Sequence, residues 1–212
     1  MKKIEILPIA LILLSLMIGL YLINLVPDTM PTHWNFEGKA DGFSNKYFAL
    51  FFLPCLMLII YSLLTYIPYI VVMKKNVNSF IEEYIIFKII FVIFFFGLYI
   101  ISLIQSVKPF SMNYFIIPGL AVLFYFVGRL LKRTKRNYFI GFRTPWTLND
   151  NVVWEKTNYM AGKFFQIYAV FTLFGLFIPK YSILIILIPL FPGIAFLIYY
   201  SYLLHKKLKL KS

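Results

Sequence analysis

The chain has 212 residues, of which 61% are hydrophobic and 14% are charged, whereas a soluble domain is about half apolar and a quarter charged. A globule of this size cannot hide that excess, so the composition excludes a soluble enzyme and a disordered chain. The formal net charge is +13, from 21 Lys and Arg against 8 Asp and Glu. Such an excess favours nucleic-acid binding in a soluble protein and marks cytoplasmic loops in a membrane protein. The positions of the basic residues along the chain therefore decide between these two interpretations.

Six apolar segments are candidates to cross the membrane, a distance of ~30 Å that takes about 20 residues. They are residues 6–26, 47–72, 84–104, 114–131, 164–178 and 181–204. The fifth segment is short, but Asn149 and Asp150 offer an N-cap for a helix that begins outside the membrane and runs into it. The sequence therefore predicts an all-α, multi-pass integral membrane protein with six transmembrane helices.

The basic residues sort into two groups when the loops between these spans alternate sides. Seventeen of the 21 lie with the N-terminus, the second and fourth loops and the C-terminal tail, while Lys39, Lys46, Lys108 and Lys180 lie on the other side. The positive-inside rule then predicts that both termini are cytoplasmic and that the protein resides in the cell membrane.

The outer loop, residues 27–46, concentrates polar and aromatic groups: His33, Trp34, Asn35 and Asp41. A compact lid is one interpretation, with His33 and Asn35 bonded to turn backbone and Trp34 at the membrane interface. Recognition of a peptide or another membrane protein is a second. A metal site is the third, but no second histidine lies nearby, and we predict no metal, cofactor or catalytic residue.

The inner loop, residues 132–163, opens with a basic cluster at 132–136. Such a cluster is typical of contact with an anionic inner leaflet, and no element for reading nucleic acid accompanies it, so direct nucleic-acid binding is not predicted. Arg143 follows, with a planar fork suited to a carboxylate or phosphate. It either binds a partner or ties the loop to Asp150 or Glu155.

The spans contain few groups suited to transport or catalysis. Glu5, Lys88 and Arg129 lie near span ends, where long side chains can snorkel to the surface. Coupled transport usually needs buried carboxylates or histidines, and none is evident. Because neither the Glu82-Glu83 pair nor any serine–histidine pair fits a membrane enzyme, we predict no enzymatic activity.

Two strings resemble a known family, the SdpI family of bacterial membrane immunity proteins. NYFIGFRTPWT at residues 137–147, continued by Trp154 and Gly162, resembles the family's inner loop. PTHWNxxGxxD at residues 31–41 resembles an N-terminal domain of uncharacterised function that often precedes it. One departure is Arg129 after Gly128, where family members commonly have asparagine. The predicted organisation is an N-terminal transmembrane hairpin (1–72), a third helix with its loops (73–113) and an SdpI-like region (114–212).

The resemblance implies immunity to a secreted antimicrobial peptide toxin, together with a signalling role in which the protein holds a cytoplasmic autorepressor at the membrane. It implies a toxin-facing surface at His33, Trp34, Asn35 and Asp41. It also implies a repressor-facing surface, made by Asn137, Gly141, Arg143, Thr144, Pro145, Trp146 and Trp154. The alternatives are an SdpI-like membrane protein with another ligand and a small-solute transporter.

Overall fold

The computed structural model of the protein describes residues 3–210, so the predicted cytoplasmic placement of Lys2 and Lys211 falls outside this range. After a short 3-10 turn at Lys3–Glu5, the chain forms eight α-helices and two strands in the described part. The elements are α1 (Ile6–Leu22), β1 (Thr29–Trp34), β2 (Ala40–Asn45), α2 (Lys46–Ile70), α3 (Lys74–Asn78), α4 (Ile81–Val107), α5 (Asn113–Leu131), α6 (Pro145–Asn149), α7 (Asn151–Thr172) and α8 (Ser182–Lys209).

Four helices of the described range are long and apolar enough to cross a membrane: α2, α4, α5 and the continuous run Pro179–Lys209 that contains α8. The helix α1 is apolar but has only 17 residues. The predicted multi-pass helical membrane protein is thus confirmed at this level. Because apolar side chains also cover much of the outer surface of the bundle, the helices suit a lipid environment rather than water.

The fifth predicted span, residues 164–178, differs from the structure at both ends. The helix α7 begins at Asn151, and Asp150 caps it by accepting the Val152 and Val153 N–H groups at 2.7 and 2.9 Å. It ends at Thr172, and a 3-10 turn covers Leu173–Leu176. The prediction of a capped helix that begins before the apolar segment is therefore confirmed. The α-helix, however, does not extend to the end of the predicted span at residue 178.

The description of the fold as all-α is wrong in one place, because the loop between α1 and α2 is an antiparallel β-hairpin. Thr29 pairs with Asn45 and Met30 with Ser44, and the register shifts around His33. The turn is closed by Asn35, whose side-chain oxygen accepts the N–H groups of Glu37 and Lys39 at 2.9 and 3.1 Å. Gly38 in this turn has a φ of +75°, a conformation that favours glycine.

The helices pack as two groups. Buried residues of α1, α2 and α4 form one cluster, Ile12, Met57, Tyr61 and Val92. Residues of α5, α7 and α8 form another, Leu131, Ala161 and Leu197, and α4 packs against α5 to join the groups. The bundle has two ends: the hairpin face carries β1 and β2, and the loop face carries residues 132–150.

The position of Lys88 corrects a prediction from the sequence. Lys88 does not extend to the surface, since its residue is only 2% exposed. Its Nζ lies 2.7 Å from Glu5 Oε1 and 3.0 Å from Thr65 Oγ1. This ion pair ties the start of the chain to α2 and α4, because a buried charge is stable only when paired and hydrogen-bonded.

Candidate functional site

The hairpin is fixed to the bundle by hydrogen bonds from three helices. At its turn, the Phe36 carbonyl accepts from Asn113 Nδ2 at 2.9 Å and from Ser182 Oγ at 3.0 Å. Asn113 and Ser182 are the first residues of α5 and α8, so the turn joins the ends of these two helices. The third attachment is Trp34, whose Nε1 donates to Gln105 Oε1 on α4.

Beneath the hairpin lies a cavity of about 570 Å³ between α5 and α8. All four residues predicted to face an external ligand, His33, Trp34, Asn35 and Asp41, line it. The remaining walls are mainly aliphatic and aromatic side chains of α5 and α8, such as Ile117, Phe124 and Ile186. We call this space the outer cavity, and it combines an apolar interior with a polar edge, the usual character of a ligand site.

Trp34 and Ile116 separate the outer cavity from a second apolar cavity of about 320 Å³, because both side chains line the two cavities. The second cavity lies between the hairpin, α2, α4 and α5. The indole is therefore a wall between two apolar spaces, held in place by its bond to Gln105.

The hairpin carries two close polar pairs at its exposed edge, one between a histidine and an aspartate and one between a lysine and a glutamate. His33 Nδ1 lies 2.6 Å from Asp41 Oδ1, with both side chains exposed. Lys39 Nζ lies 2.7 Å from Glu37 Oε2, and this hydrogen bond and the charge of Lys39 lower the pKa of the Glu37 carboxyl. The pair is therefore present at neutral pH and is lost as the pH falls through that lowered pKa. Within residues 3–210, no three His, Cys, Asp or Glu residues come close enough to hold a metal ion.

On the loop face, Asn137 and Trp154 are the internal supports of the loop. Both residues are 0% exposed. The Asn137 amide donates to the Lys135 and Ile140 carbonyls and accepts from the Phe139 and Ile140 N–H groups, at 2.7–2.8 Å. Trp154 Nε1 donates to the Thr134 carbonyl at 3.0 Å. Neither side chain is available to a partner on this surface.

Gly141, Thr144 and Thr147 shape the rest of the motif. Gly141 has a φ of +142°, and a Cβ there would lie 2.6 Å from the Trp154 ring, so only glycine fits. Thr144 caps α6 in a reciprocal capping box with Thr147. Its Oγ1 also lies 3.1 Å from Ser201 Oγ of α8. This contact fastens the loop to the last helix.

Among the predicted partner-facing residues, Arg143, Pro145 and Trp146 are those with accessible side chains. Arg143 is exposed and donates from Nη1 to the Tyr138 carbonyl at 2.6 Å. The alternative tie to Asp150 or Glu155 is wrong, because Asp150 caps α7 and Glu155 pairs with Lys135 at 2.9 Å. Trp146 packs on Tyr202 of α8 with ring centroids 5.3 Å apart. All three line a shallow groove on the loop face.

Sequence reasoning missed the polar residues that hold these parts together: Gln105, Asn113, Ser182 and Ser201. Each bonds to a residue at least 57 positions away in the chain, so no local pattern reveals its role. The one available signal is a polar residue at the end of an apolar run, which membrane helices place preferentially at helix contacts.

These features define a helical multi-pass membrane protein. A β-hairpin is hydrogen-bonded to the helices at one end of the bundle, and a polar loop held by internal hydrogen bonds lies at the other end. Comparison with known proteins agrees with this description. Residues 133–202 match the SdpI/YfhL protein family, and residues 10–58 match a domain of unknown function, DUF1648. Over 209 residues the chain is 27% identical to Immunity protein SdpI of Bacillus subtilis (strain 168), covering 98% of each sequence.

These matches confirm the resemblance carried by the two loop motifs, and each motif lies inside one of the matched regions. No solved structure matches the chain significantly. The outer cavity is built from both regions, because β1 and β2 lie within residues 10–58 and the first half of α8 lies within residues 133–202.

Proposed function

We propose that this protein is an immunity protein that protects a bacterial cell from a secreted antimicrobial peptide acting at the membrane. The observation that carries the proposal is the similarity to an immunity protein along nearly the whole of both chains. A similarity confined to one loop would support only a shared structural element. Here it includes the hairpin, the outer cavity and the loop face together.

The proposed arrangement has six spans, with α1 and α7 crossing the membrane beside the four long apolar helices. Both termini and the loop face are then cytoplasmic, and the hairpin face is outside. The support is the charge distribution, since 17 of the 21 basic residues belong to the proposed inner side and loops rich in Lys and Arg stay in the cytoplasm.

The outer cavity is the proposed contact site for the peptide. A peptide that acts in membranes has apolar side chains, and the cavity offers apolar walls of α5 and α8 that would cover them. At its edge, His33, Asn35 and Asp41 supply hydrogen-bonding groups, and Trp34 supplies an aromatic surface of the kind that dominates binding energy at interfaces.

The loop face is the proposed contact site for a cytoplasmic repressor protein. Arg143, Pro145 and Trp146 would make the contact, because among the predicted partner-facing residues they have accessible side chains. The buried members, Asn137 and Trp154 among them, would act by holding these three in place. The basic residues around them favour a partner with an acidic surface.

Resistance of a sensitive strain tests the outer site. Cells expressing the wild-type chain should survive at least one of a panel of secreted antimicrobial peptides that kills cells carrying an empty vector. Ile186→Trp fills the outer cavity, since Ile186 lines it and is 9% exposed, and should remove the protection. Ile188→Trp is the matched control, because Ile188 is on the same helix but 62% exposed, and it should protect as the wild type does.

The outcomes separate the two parts of the proposal. Survival no better than the empty vector against the whole panel would refute immunity. Protection by Ile186→Trp at normal abundance in the membrane would refute the outer cavity as the contact site while leaving immunity intact. The repressor contact is tested by co-purification: a small DNA-binding protein encoded beside this chain should be retained by the wild type and lost with Arg143→Ala, and equal retention would contradict it.

A further inference from the structure

A further cavity, lined partly by charged residues, lies at the loop-face end of the bundle and is separate from the outer cavity and from the groove beside Arg143. It is a cavity of about 570 Å³ between α2, α3 and α4, which we call the inner cavity. Tyrosines and aliphatic residues form most of its wall, among them Leu64, Tyr66 and Tyr69. Within residues 3–210, its charged lining residues are Glu5, Lys74 and Lys88, so this described lining has a net charge of one positive unit.

Lys88 forms the floor of the inner cavity and is fully engaged there. Its ammonium group is directed to Glu5 at 2.7 Å, to Thr65 at 3.0 Å and to the face of the Tyr61 ring at 4.7 Å from the centroid. An ammonium group has three donors, and these three partners account for them. The Lys88–Glu5 pair is therefore neutral as a unit, and the uncompensated positive charge of the lining belongs to Lys74.

Lys74 lies at the rim, where the surrounding chain positions it. The Lys74 residue is exposed, and its Nζ lies over the Tyr69 ring, 5.5 Å from the centroid. Met73, immediately before it, has a φ of +63°, a conformation that L-residues rarely adopt and that is found where surrounding structure imposes it. The short helix that follows is anchored by Asn76, whose Nδ2 donates to the Arg136 carbonyl at 2.6 Å.

We propose that the inner cavity binds the phosphodiester headgroup of an anionic phospholipid. A phosphodiester carries one negative charge, which would neutralise the single excess charge of the lining. Lys74 and the neighbouring Asn78, both at the rim, would donate to the phosphate oxygens. The tyrosine and aliphatic walls would cover the glycerol and upper acyl carbons, which free phosphate does not have.

This site is distinct from general attraction of the basic loop to an anionic leaflet, because it depends on one lysine of a neighbouring pair. Lys74 lines the cavity, and Lys75 does not, although both are exposed and carry the same charge. An unspecific electrostatic effect would treat the two alike, because each charge near an anionic surface contributes about equally.

Native mass spectrometry of the full chain in detergent tests the proposal. Dioleoyl phosphatidylglycerol is the probe, dioleoyl phosphatidylcholine is the lipid of no net charge, and Lys74→Gln is compared with Lys75→Gln. We expect the wild type to retain phosphatidylglycerol over phosphatidylcholine, Lys74→Gln to lower its apparent affinity about fivefold, and Lys75→Gln to leave it unchanged. Lys74→Arg, which keeps the charge, should restore most of the retention.

Three results would overturn the proposal. The first is equal retention of the two lipids by the wild type. The second is an equal loss in Lys74→Gln and Lys75→Gln, which would indicate charge alone. The third is displacement of the lipid by millimolar inorganic phosphate, which would assign the site to free phosphate. Because Lys74 is exposed, its replacement should not disturb folding, and an unchanged elution profile in size-exclusion chromatography checks this.

Discussion

Replacement of Asn137 by alanine should loosen the whole loop face. Its amide makes four hydrogen bonds to backbone groups between Lys135 and Ile140. The residue is 0% exposed, so water cannot replace these bonds without opening the loop. Alanine would leave two N–H groups and two carbonyls without their partner.

The size of the effect follows from the number of bonds. One intramolecular hydrogen bond contributes about 1 kcal/mol net, and part of the loop backbone can rehydrate once it relaxes. Asn137→Ala should therefore cost about 2 to 4 kcal/mol of unfolding free energy. For a chain of this length, that corresponds to a loss of roughly 5 to 15 °C in the midpoint of thermal unfolding.

The assay is the fraction of monodisperse protein that remains in size-exclusion chromatography after heating in detergent. Asn149→Ala is the matched control, because Asn149 lies in the same loop and is exposed. It should shift the midpoint by no more than about 2 °C, as an exposed substitution changes stability by about 0.5 kcal/mol or less. Midpoints for Asn137→Ala and Asn149→Ala that agree within error would refute the assignment of Asn137 as the internal support.

Three further changes test the two faces and the packing between helices. Arg143→Ala should impair retention of the repressor more than Lys135→Ala, since Arg143 lines the groove and bonds to the Tyr138 carbonyl while the Lys135 side chain makes an exposed ion pair; equal effects would mean that only net charge matters. Trp34→Phe should keep most of the resistance and Trp34→Ala should lose it, because the ring forms part of the wall between the two cavities; equal resistance of the two variants would contradict this role. Gly162→Ala should cost about 1 to 3 kcal/mol, measured by thermal unfolding, because its Cβ would meet the facing helix at 2.5 Å. Alanine at Gly175, where the nearest atom is 3.3 Å away, should be tolerated.

The apolar segments were predictable because hydrophobic length alone identifies a membrane helix. The predicted spans 47–72, 84–104, 114–131 and 181–204 correspond to α2, α4, α5 and α8. The hairpin was not predictable in the same way. Its strands have only six residues each and contain proline, glycine and asparagine, all poor strand formers. The hairpin is held in its conformation by hydrogen bonds to α4, α5 and α8. These partners are distant in the sequence, so the residues of the loop alone do not indicate them.

The loop motif was located correctly, but the orientations of its side chains were not. The sequence analysis placed Trp154 on the repressor-facing surface, whereas it is buried and donates to the Thr134 carbonyl. Lys88 shows the same limit. A lysine about two turns inside a helix can extend to the surface, and the approach of Glu5, 83 positions earlier, together with the bond to Thr65 keeps Lys88 inside. Long-range pairing, not local pattern, decides burial in both cases.

The helix α8 connects the hairpin of the first matched region to the loop of the second. Its first residue, Ser182, bonds to the hairpin turn, and its side chains Ile186 and Leu190 line the outer cavity. Near its other end, Ser201 contacts Thr144 and Tyr202 packs on Trp146 of the inner loop. A ligand can affect a distant surface only if it binds two arrangements of a connecting element unequally. Because α8 contacts both faces, we predict that any coupling between the hairpin and the loop requires a displacement of α8 at its hairpin end, and neither matched region alone contains both contacts.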